Sequence, residues 1–227
     1  EAAQAAGGPR FVLVSSMAAG GPSSRGEPLQ GHEPPRPVTA YGRSKLAAEE
    51  VVKAGTLPWT IIRPPMVYGP RDLEVLKVFR MARFGVAPVF GDGTQELTAI
   101  HGADLADALI AAGLSPATAR RTYCGTHPDI FTSTEFVRSV AEAMGRRVTV
   151  VKVPHPVGRG ILAVTETVAR LAGRATILTT DKANEFFQEA WTGDPAPLTR
   201  DTGWSARRDL AAGLADTWSW YRKAGWV

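Results

Sequence analysis

Residues 10–16, Arg-Phe-Val-Leu-Val-Ser-Ser, are a short apolar run that ends in two hydroxyl side chains. An uninterrupted apolar run of this length is typical of a buried parallel strand, because both faces of such a strand are covered. A second run, Trp-Thr-Ile-Ile-Arg, occupies residues 59–63 and stops at Pro64-Pro65. The two runs therefore predict two buried strands, the first of them parallel.

Helical patterns separate and follow these strands. After a loop rich in Gly, Pro and Ser over residues 20–37, Thr39 can cap a helix that ends at Gly55. Asp104 and Thr134 are predicted to cap two further helices. The remaining predicted elements are helices over 73–84, 157–171, 181–189 and 210–223, and strands over 87–90, 97–101, 122–125 and 148–153, the last of them buried. This alternation predicts an α/β fold with a parallel sheet.

The composition excludes several classes of protein. The 26 basic residues outnumber the 22 acidic ones, but they form no basic run, so no nucleic-acid partner is expected. No stretch approaches the roughly 18 apolar residues of a membrane span, so no membrane partner is expected. The single cysteine, Cys124, is expected to be a buried thiol in a reducing, cytoplasmic setting. The four histidines lack ligand spacing, so no metal site is expected.

Tyr41 and Lys45 lie four positions apart in the predicted helix, so they share one face, one turn apart. Ala48 and Val52 continue that face, which predicts that it points inward. A solvated surface pair is the ordinary alternative. Ser16 ends the first predicted strand, at the sheet edge where ligands of parallel sheets gather. The three side chains therefore form a candidate site.

Several short motifs follow one another in a characteristic order. They are Ser15-Ser16, Tyr41-Gly-Arg-Ser-Lys45, Arg63-Pro-Pro-Met-Val-Tyr-Gly-Pro70, Gly91-Asp92-Gly93 and Ile100-His-Gly-Ala-Asp-Leu-Ala106. This order resembles the extended short-chain dehydrogenases/reductases, the NAD-dependent epimerase/dehydratase family. The resemblance implies a doubly wound, parallel-sheet Rossmann-like fold with a smaller, mostly helical substrate region.

The resemblance also implies how the chain divides. Residues 1–70 would be the C-terminal part of the dinucleotide-binding domain and would carry the catalytic residues. Residues 71–227 would form mainly the substrate-binding region, with about 97–125 returning to the Rossmann sheet. The family's Gly-rich fingerprint and its ribose-binding acidic residue would lie on the order of a hundred residues upstream. The chain is therefore interpreted as lacking the N-terminal half of the fold, and its 227 residues are expected to be inactive alone.

The family's catalytic roles transfer residue by residue. Tyr41 would be the general acid/base. A free phenol, with a pKa of about 10, is a poor base at neutral pH, and the Lys45 cation would favour the phenolate. Lys45 would also bond the nicotinamide ribose, and Ser16 would hold the substrate oxygen. Ser15 could be the working serine instead, and is otherwise expected on the cofactor side.

Four further residues would line the site by the same resemblance. Pro64 and Val67 would face the nicotinamide of the cofactor, which would be NAD or NADP. Met17 and Met66 would contact the substrate. The residue that distinguishes NAD from NADP would lie upstream.

One other segment imitates a dinucleotide fingerprint. Residues 158–163, Gly-Arg-Gly-Ile-Leu-Ala, match G-x-G-x-x-A, and Asp181 follows 23 positions after Gly158. However, Pro154 and Pro156 interrupt its entry, and the 46 residues after Asp181 are too few for the remaining strands of a nucleotide domain. We therefore expect a helix of the substrate region here.

Two departures from the family narrow the chemistry. Dehydratases of this family carry an Asp-Glu pair where this chain has Met17-Ala18, which disfavours elimination of water. Nucleotide-sugar members carry an Arg shortly after Gly-Asp-Gly, where this chain has Leu97, which disfavours a diphosphate-sugar substrate. The expected protein is an NAD(P)-dependent oxidoreductase or epimerase that acts on a small-molecule secondary alcohol or ketone, as a monomer or a homodimer. The alternative is a non-catalytic nucleotide-sensing or structural relative on the same fold.

Overall fold

A computed structural model of the protein describes residues 10–171 and 179–227. Its central sheet has three parallel strands in the order β1-β2-β7, namely Phe11–Val14, Trp59–Arg63 and Arg121–Cys124. Each of the five residues of β2 is buried, as expected of a middle strand with both faces covered. The two apolar runs at residues 10–16 and 59–63 are thus confirmed as parallel strands, and Phe11 pairs with Trp59 at the start of their register. The predicted burial of the first strand is wrong, because β1 lies at one edge of this sheet, with Phe11 and Val14 exposed and the two residues between them half-buried.

The other strands form one further three-stranded sheet and two two-stranded sheets. The elements that follow β2 are β3 (Met66–Tyr68), β4 (Val86–Phe90), β5 (Glu96–Leu97), β6 (Ala99–His101), β8 (Phe131–Thr132), β9 (Thr149–Val153) and β10 (Ala190–Trp191). β3 pairs with β6 and β4 with β9, both in parallel, whereas β5 lies between β10 and β8. The predicted α/β class, with a Rossmann-like parallel sheet, is therefore confirmed.

Helices connect and follow these strands along the chain. They are α1 (Met17–Gly20), α2 (Ala40–Ala54), α3 (Leu73–Ala82), α4 (Gly102–Leu114), α5 (Ser133–Ala143), α6 (His155–Leu171), α7 (Ala183–Phe186), α8 (Ala196–Thr202) and α9 (Leu210–Lys223). Thr39 caps α2 as predicted, since its hydroxyl accepts from Gly42 N. No helix in these two described ranges is long and apolar enough to cross a membrane.

Two predicted helix caps are wrong. The α4 cap is His101, whose ring nitrogen accepts from Ala103 N, while Asp104 is buried and accepts from the backbone N–H groups of Arg207 and Arg208. The α5 cap is Thr132, which forms a capping box with Glu135, rather than Thr134. A capping side chain accepts a hydrogen bond from a free N–H two or three residues further along the chain. In both helices the capping side chain belongs to a residue that precedes the predicted one.

A hydrophobic core outside the central sheet is formed by side chains of α3, α5, α9 and neighbouring strands. Its largest buried side chains include Phe79 of α3 and Tyr221 of α9, which meet edge to face, and Trp218 stacks on Phe79. The predicted burial of strand 148–153 is wrong, because most of β9 is exposed and Val153 alone is buried. β9 pairs with β4 at the margin of this unit, so its apolar run covers the core from one side.

The Cys124 thiol is a test of how closed the central sheet is. The side chain is 1% exposed, and burial raises its pKa to about 12. Since the thiolate is the reactive species, we expect iodoacetamide at neutral pH to leave the folded chain unmodified and to alkylate it rapidly in guanidinium. Mass spectrometry over time measures both rates. Equal rates would show that the sheet opens to solvent at β7.

Candidate active site

The carboxyl end of β1 places two serines in different surroundings. Ser16 begins α1, and its Oγ accepts from Ala18 N at 3.2 Å. Ser15 is buried, and its hydroxyl donates to Glu49 Oε1 at 2.5 Å. The half-buried Ser16 keeps its hydroxyl proton for an outside acceptor, whereas Ser15 is engaged in the interior. The cofactor contact predicted for Ser15 would have to replace this bond.

Tyr41 and Lys45 lie on α2, near the same sheet edge. Lys45 Nζ donates to the Val14 carbonyl at 2.9 Å, which fixes the ammonium group at the end of β1. Tyr41 is 51% exposed. The predicted inward face is wrong, because Ala48 is exposed and α2 packs through Gly42 and Glu49 instead. The pair nevertheless lies beside the strand end, so the candidate site faces solvent.

A close approach of two helices brings the serine and the tyrosine segments together. A Cβ at Gly42 would stand 2.3 Å from the Ala18 carbonyl oxygen and 3.0 Å from Pro37 Cβ. Only glycine permits α1 and α2 to meet at this distance. Gly42 directly follows Tyr41, and Ala18 lies two positions after Ser16. The contact therefore sets the separation of the two segments.

The other predicted lining residues are divided between the surface and the interior. Val67 is exposed and Met66 is half-buried, both in β3. Pro64 is buried, and its carbonyl accepts from Met17 N at 2.9 Å. Met17 is 2% exposed, with Gly193 packed near its sulfur. Its predicted substrate contact stays a prediction, and a contact would require this buried side chain to become accessible.

Sequence reasoning missed a buried ion pair beneath the site. Arg63, at the end of β2, donates to Glu49 through Nε at 2.9 Å and through Nη2 at 2.7 Å. Burial alone would raise the pKa of the Glu49 carboxyl, but the hydrogen bonds from Arg63 and Ser15 and the Arg63 charge outweigh it, so this pKa is lowered. An arginine inside an apolar strand was the available signal, because a buried charge requires a partner.

Sequence reasoning also missed residues 181–185, whose side chains hold the first turn of α2. Ala40 N donates to Asp181 Oδ2, and the Thr39 hydroxyl donates to Glu185 Oε1, both at 2.7 Å. Carboxylates suit a helix N-terminus, where backbone donors are free. Lys182 pairs with Glu185, and its Nζ lies 5.9 Å from the centre of the Tyr41 ring. The partners are 141 and 146 positions apart, so no local pattern reveals them.

The imitation fingerprint lies within a helix. Gly158 and Gly160 are interior residues of α6, so they form no phosphate-binding turn between a strand and a helix. Asp181, the acidic residue of that pattern, is occupied by Ala40 N. The helix expected at residues 158–163 is therefore confirmed, and its place in a substrate region stays a prediction.

A cavity of about 580 Å³ lies between residues 30–35 and the strands β2 and β7. Trp59, Arg63 and Arg121 are among its lining residues, and none of the predicted site residues lines it. This cavity is therefore separate from the edge where Ser16, Tyr41 and Lys45 lie. The candidate site is an open surface at the carboxyl end of β1.

Comparison with known proteins gives a consistent family. The model of the NAD-dependent epimerase/dehydratase family matches residues 1–123. A ceramide reductase of Caulobacter vibrioides is 34% identical over 231 aligned positions, covering 100% of this chain and 66% of that protein. Subunit 9 of the NADH dehydrogenase [ubiquinone] 1 alpha subcomplex, mitochondrial, of Arabidopsis thaliana is 30% identical over 124 positions, covering 53% of this chain and 31% of that subunit.

Solved structures share the fold at lower identity. MoeE5 in complex with UDP-glucuronic acid and NAD has a TM-score of 0.72 at 24% identity, covering 98% of this chain and 68% of that one. The UDP-glucose 4-epimerase of Thermus thermophilus in complex with NAD has a TM-score of 0.74 at 22% identity, covering 98% and 67%. The chain thus spans 66% of the ceramide reductase and about two thirds of each of these two solved structures, but 31% of the Arabidopsis subunit.

Proposed function

Because this chain belongs to the NAD-dependent epimerase/dehydratase family, we propose that its protein is an NAD(P)-dependent oxidoreductase or epimerase that acts on a secondary alcohol or ketone. One observation carries the proposal. The Lys45 ammonium is fixed on the Val14 carbonyl, at the strand end that also bears Ser16, one helical turn from the exposed Tyr41. A phenol, an ammonium and a hydroxyl at one sheet edge are the groups that proton transfer to a carbonyl oxygen requires.

Each residue has a distinct part in this chemistry. Tyr41 Oη gives a proton to the carbonyl oxygen during reduction and takes it back during oxidation. The Lys45 cation favours the phenolate form that accepts the proton. The Ser16 hydroxyl accepts from Ala18 N and retains one proton with which to bind the substrate oxygen. The nicotinamide ring, when bound, supplies or accepts the hydride.

The residues of the described chain suit one part of such a cofactor. Lys45 and Tyr41 can bind a ribose hydroxyl, and Val67 of β3 offers an exposed apolar side chain. For the pyrophosphate, by contrast, no glycine-rich strand-to-helix turn occurs within residues 10–171 or 179–227. We therefore propose that the pyrophosphate is bound by sequence upstream of this chain. For the nicotinamide, we propose that Pro64 and Val67 face the ring.

An apolar carbonyl compound is the proposed substrate class. At the position after Gly-Asp-Gly where an arginine would bind a diphosphate, β5 offers Glu96 and Leu97, and the Glu96 carboxylate accepts from Gly26 N. Similarity along all of this chain to 66% of a protein named ceramide reductase supports a ketone or alcohol on a long apolar body. The sugar-nucleotide epimerases and dehydratase among the structural neighbours are at most 24% identical, so they support the fold and leave this substrate class in place.

A second candidate function has its own observation. The similarity to a subunit of mitochondrial NADH dehydrogenase favours a structural or nucleotide-sensing relative without catalysis. In either function a homodimer is part of the proposal, with the exposed Ala47, Ala48 and Val51 of α2 facing the second copy.

Cofactor binding by calorimetry tests the proposal. We expect NADH or NADPH to bind the protein that carries its own upstream sequence at least ~10²-fold more tightly than it binds these 227 residues, because the pyrophosphate contacts supply much of the affinity. The longer protein should also reduce long-chain ketones, measured by loss of nicotinamide absorbance. Equal affinity in both proteins would overturn the proposed division of the cofactor site, and binding without turnover would favour the second candidate.

A further inference from the structure

The buried carboxylate of Glu49 is fully satisfied by other elements. It accepts from Ser15 Oγ at 2.5 Å and from Arg63 Nε and Nη2 at 2.9 and 2.7 Å, and Lys53 Nζ lies 3.6 Å away. Glu49 is 0% exposed and Arg63 is 4% exposed. The Arg63 guanidinium also donates to the Gly31 carbonyl at 3.3 Å, so the network extends into the loop after α1.

Stability does not by itself account for such a pair. The cost of removing two charges from water is about as large as their attraction, and an apolar pair of similar volume is often as stable. What a buried ion pair adds is geometry, since bidentate hydrogen bonds from a guanidinium to a carboxylate hold both groups in fixed orientations. The residues that Glu49 joins therefore indicate which parts of the fold the ion pair holds in a fixed orientation.

Successive turns of α2 bind successive residues at the carboxyl end of β1. Lys45 bonds to the Val14 carbonyl, and four positions later Glu49 bonds to the Ser15 hydroxyl. Two contacts one turn apart fix both the rotation and the axial position of a helix on a strand. The second partner of Glu49, Arg63, immediately precedes Pro64 at the end of β2.

We propose that Glu49 is a positioning residue that acts through Ser15 and Arg63 to hold the helix bearing Tyr41 and Lys45 in register with Ser16. The proposal rests on the proposed function, because it assigns Glu49 to the same reaction. A displacement of about 1 Å in a reacting group can cost ~10²-fold in rate. Loss of this network should therefore affect turnover more than folding.

A paired apolar replacement separates positioning from stability. In the protein with its own upstream sequence, we expect E49M/R63M to melt within a few degrees of the parent, because no buried charge is left unpaired. Its kcat should fall roughly 10- to 100-fold, while the KM for NADH or NADPH stays within about threefold. S15A, which removes a single hydrogen bond, should lower kcat by about three- to tenfold. E50Q is the matched control, since Glu50 is the adjacent, exposed residue of α2 and its carboxylate pairs with the half-buried Lys53 at the helix surface.

The outcomes are distinct. Wild-type turnover of E49M/R63M, in a protein whose Y41F variant is inactive, would overturn the positioning role and leave the proposed function intact. If E49M/R63M does not fold by circular dichroism, S15A decides, and unchanged kcat in S15A would overturn the role. If the wild-type protein has no activity on any ketone or alcohol, the proposed function fails and the positioning role fails with it.

Discussion

Replacing Tyr41 by phenylalanine is expected to lower kcat by about 10²- to 10⁴-fold, the range that a positioned general acid contributes. The change removes one oxygen atom. The ring is 51% exposed, and its hydroxyl has no hydrogen-bond partner within residues 10–171 and 179–227. Folding should therefore be unaffected, and the affinity for NADH or NADPH should change little. The measurement is single-turnover reduction of a long-chain ketone by the protein with its upstream sequence.

Tyr123 provides the control for Tyr41. Its hydroxyl donates to Asp201 Oδ2 at 2.6 Å, and its strand β7 is separated from β1 by β2. Y123F should therefore lose about 1 kcal/mol of unfolding free energy and keep its activity. The opposite pattern, with Y41F fully active, would remove the proposed acid/base and favour a non-catalytic relative that binds nucleotide.

The positions of the strands and of the helix that carry the candidate site could be predicted from the sequence. An apolar run ending in hydroxyl residues predicts the end of a parallel strand, and the spacing of Tyr41 and Lys45 places both on one helical face. The orientation of that face could not be predicted in the same way, and the predicted inward orientation is wrong. Apolar periodicity predicts burial by the hydrophobic effect, whereas α2 packs through a glycine and through Glu49, whose partner lies in another strand.

Long-range polar contacts account for most of what the sequence left undetermined. Asp181 appeared as part of a nucleotide fingerprint, although its carboxylate holds the first turn of α2. His101 and Thr132 cap helices for which Asp104 and Thr134 had been predicted. Several residues near a helix start can accept a backbone hydrogen bond, and the tertiary fold decides which one does. Arg63 and Glu49 likewise become a pair only after β2 lies beside α2.

The contact between α1 and α2 predicts a second large effect, at Gly42. An alanine Cβ there would stand 2.3 Å from the Ala18 carbonyl oxygen, and neither backbone segment can yield without moving its neighbours. We expect G42A to lose about 1–3 kcal/mol of unfolding free energy, as overpacked cores do. Since the two helices must separate, Tyr41 moves away from Ser16, and kcat should fall by about 10²-fold. Urea titration and steady-state kinetics measure the two effects.

Gly160 shows what the same substitution does without a close neighbour. It lies inside α6, and an added Cβ meets nothing within 4 Å. G160A should therefore raise the unfolding free energy by up to about 1 kcal/mol, the difference in helix propensity between the two residues. If G42A behaves like G160A in both stability and turnover, α1 and α2 can separate without consequence. The placement of Tyr41 would then depend on the other contacts of α2, namely those of Lys45 and Glu49 with the strand ends and those of its first turn with Asp181 and Glu185.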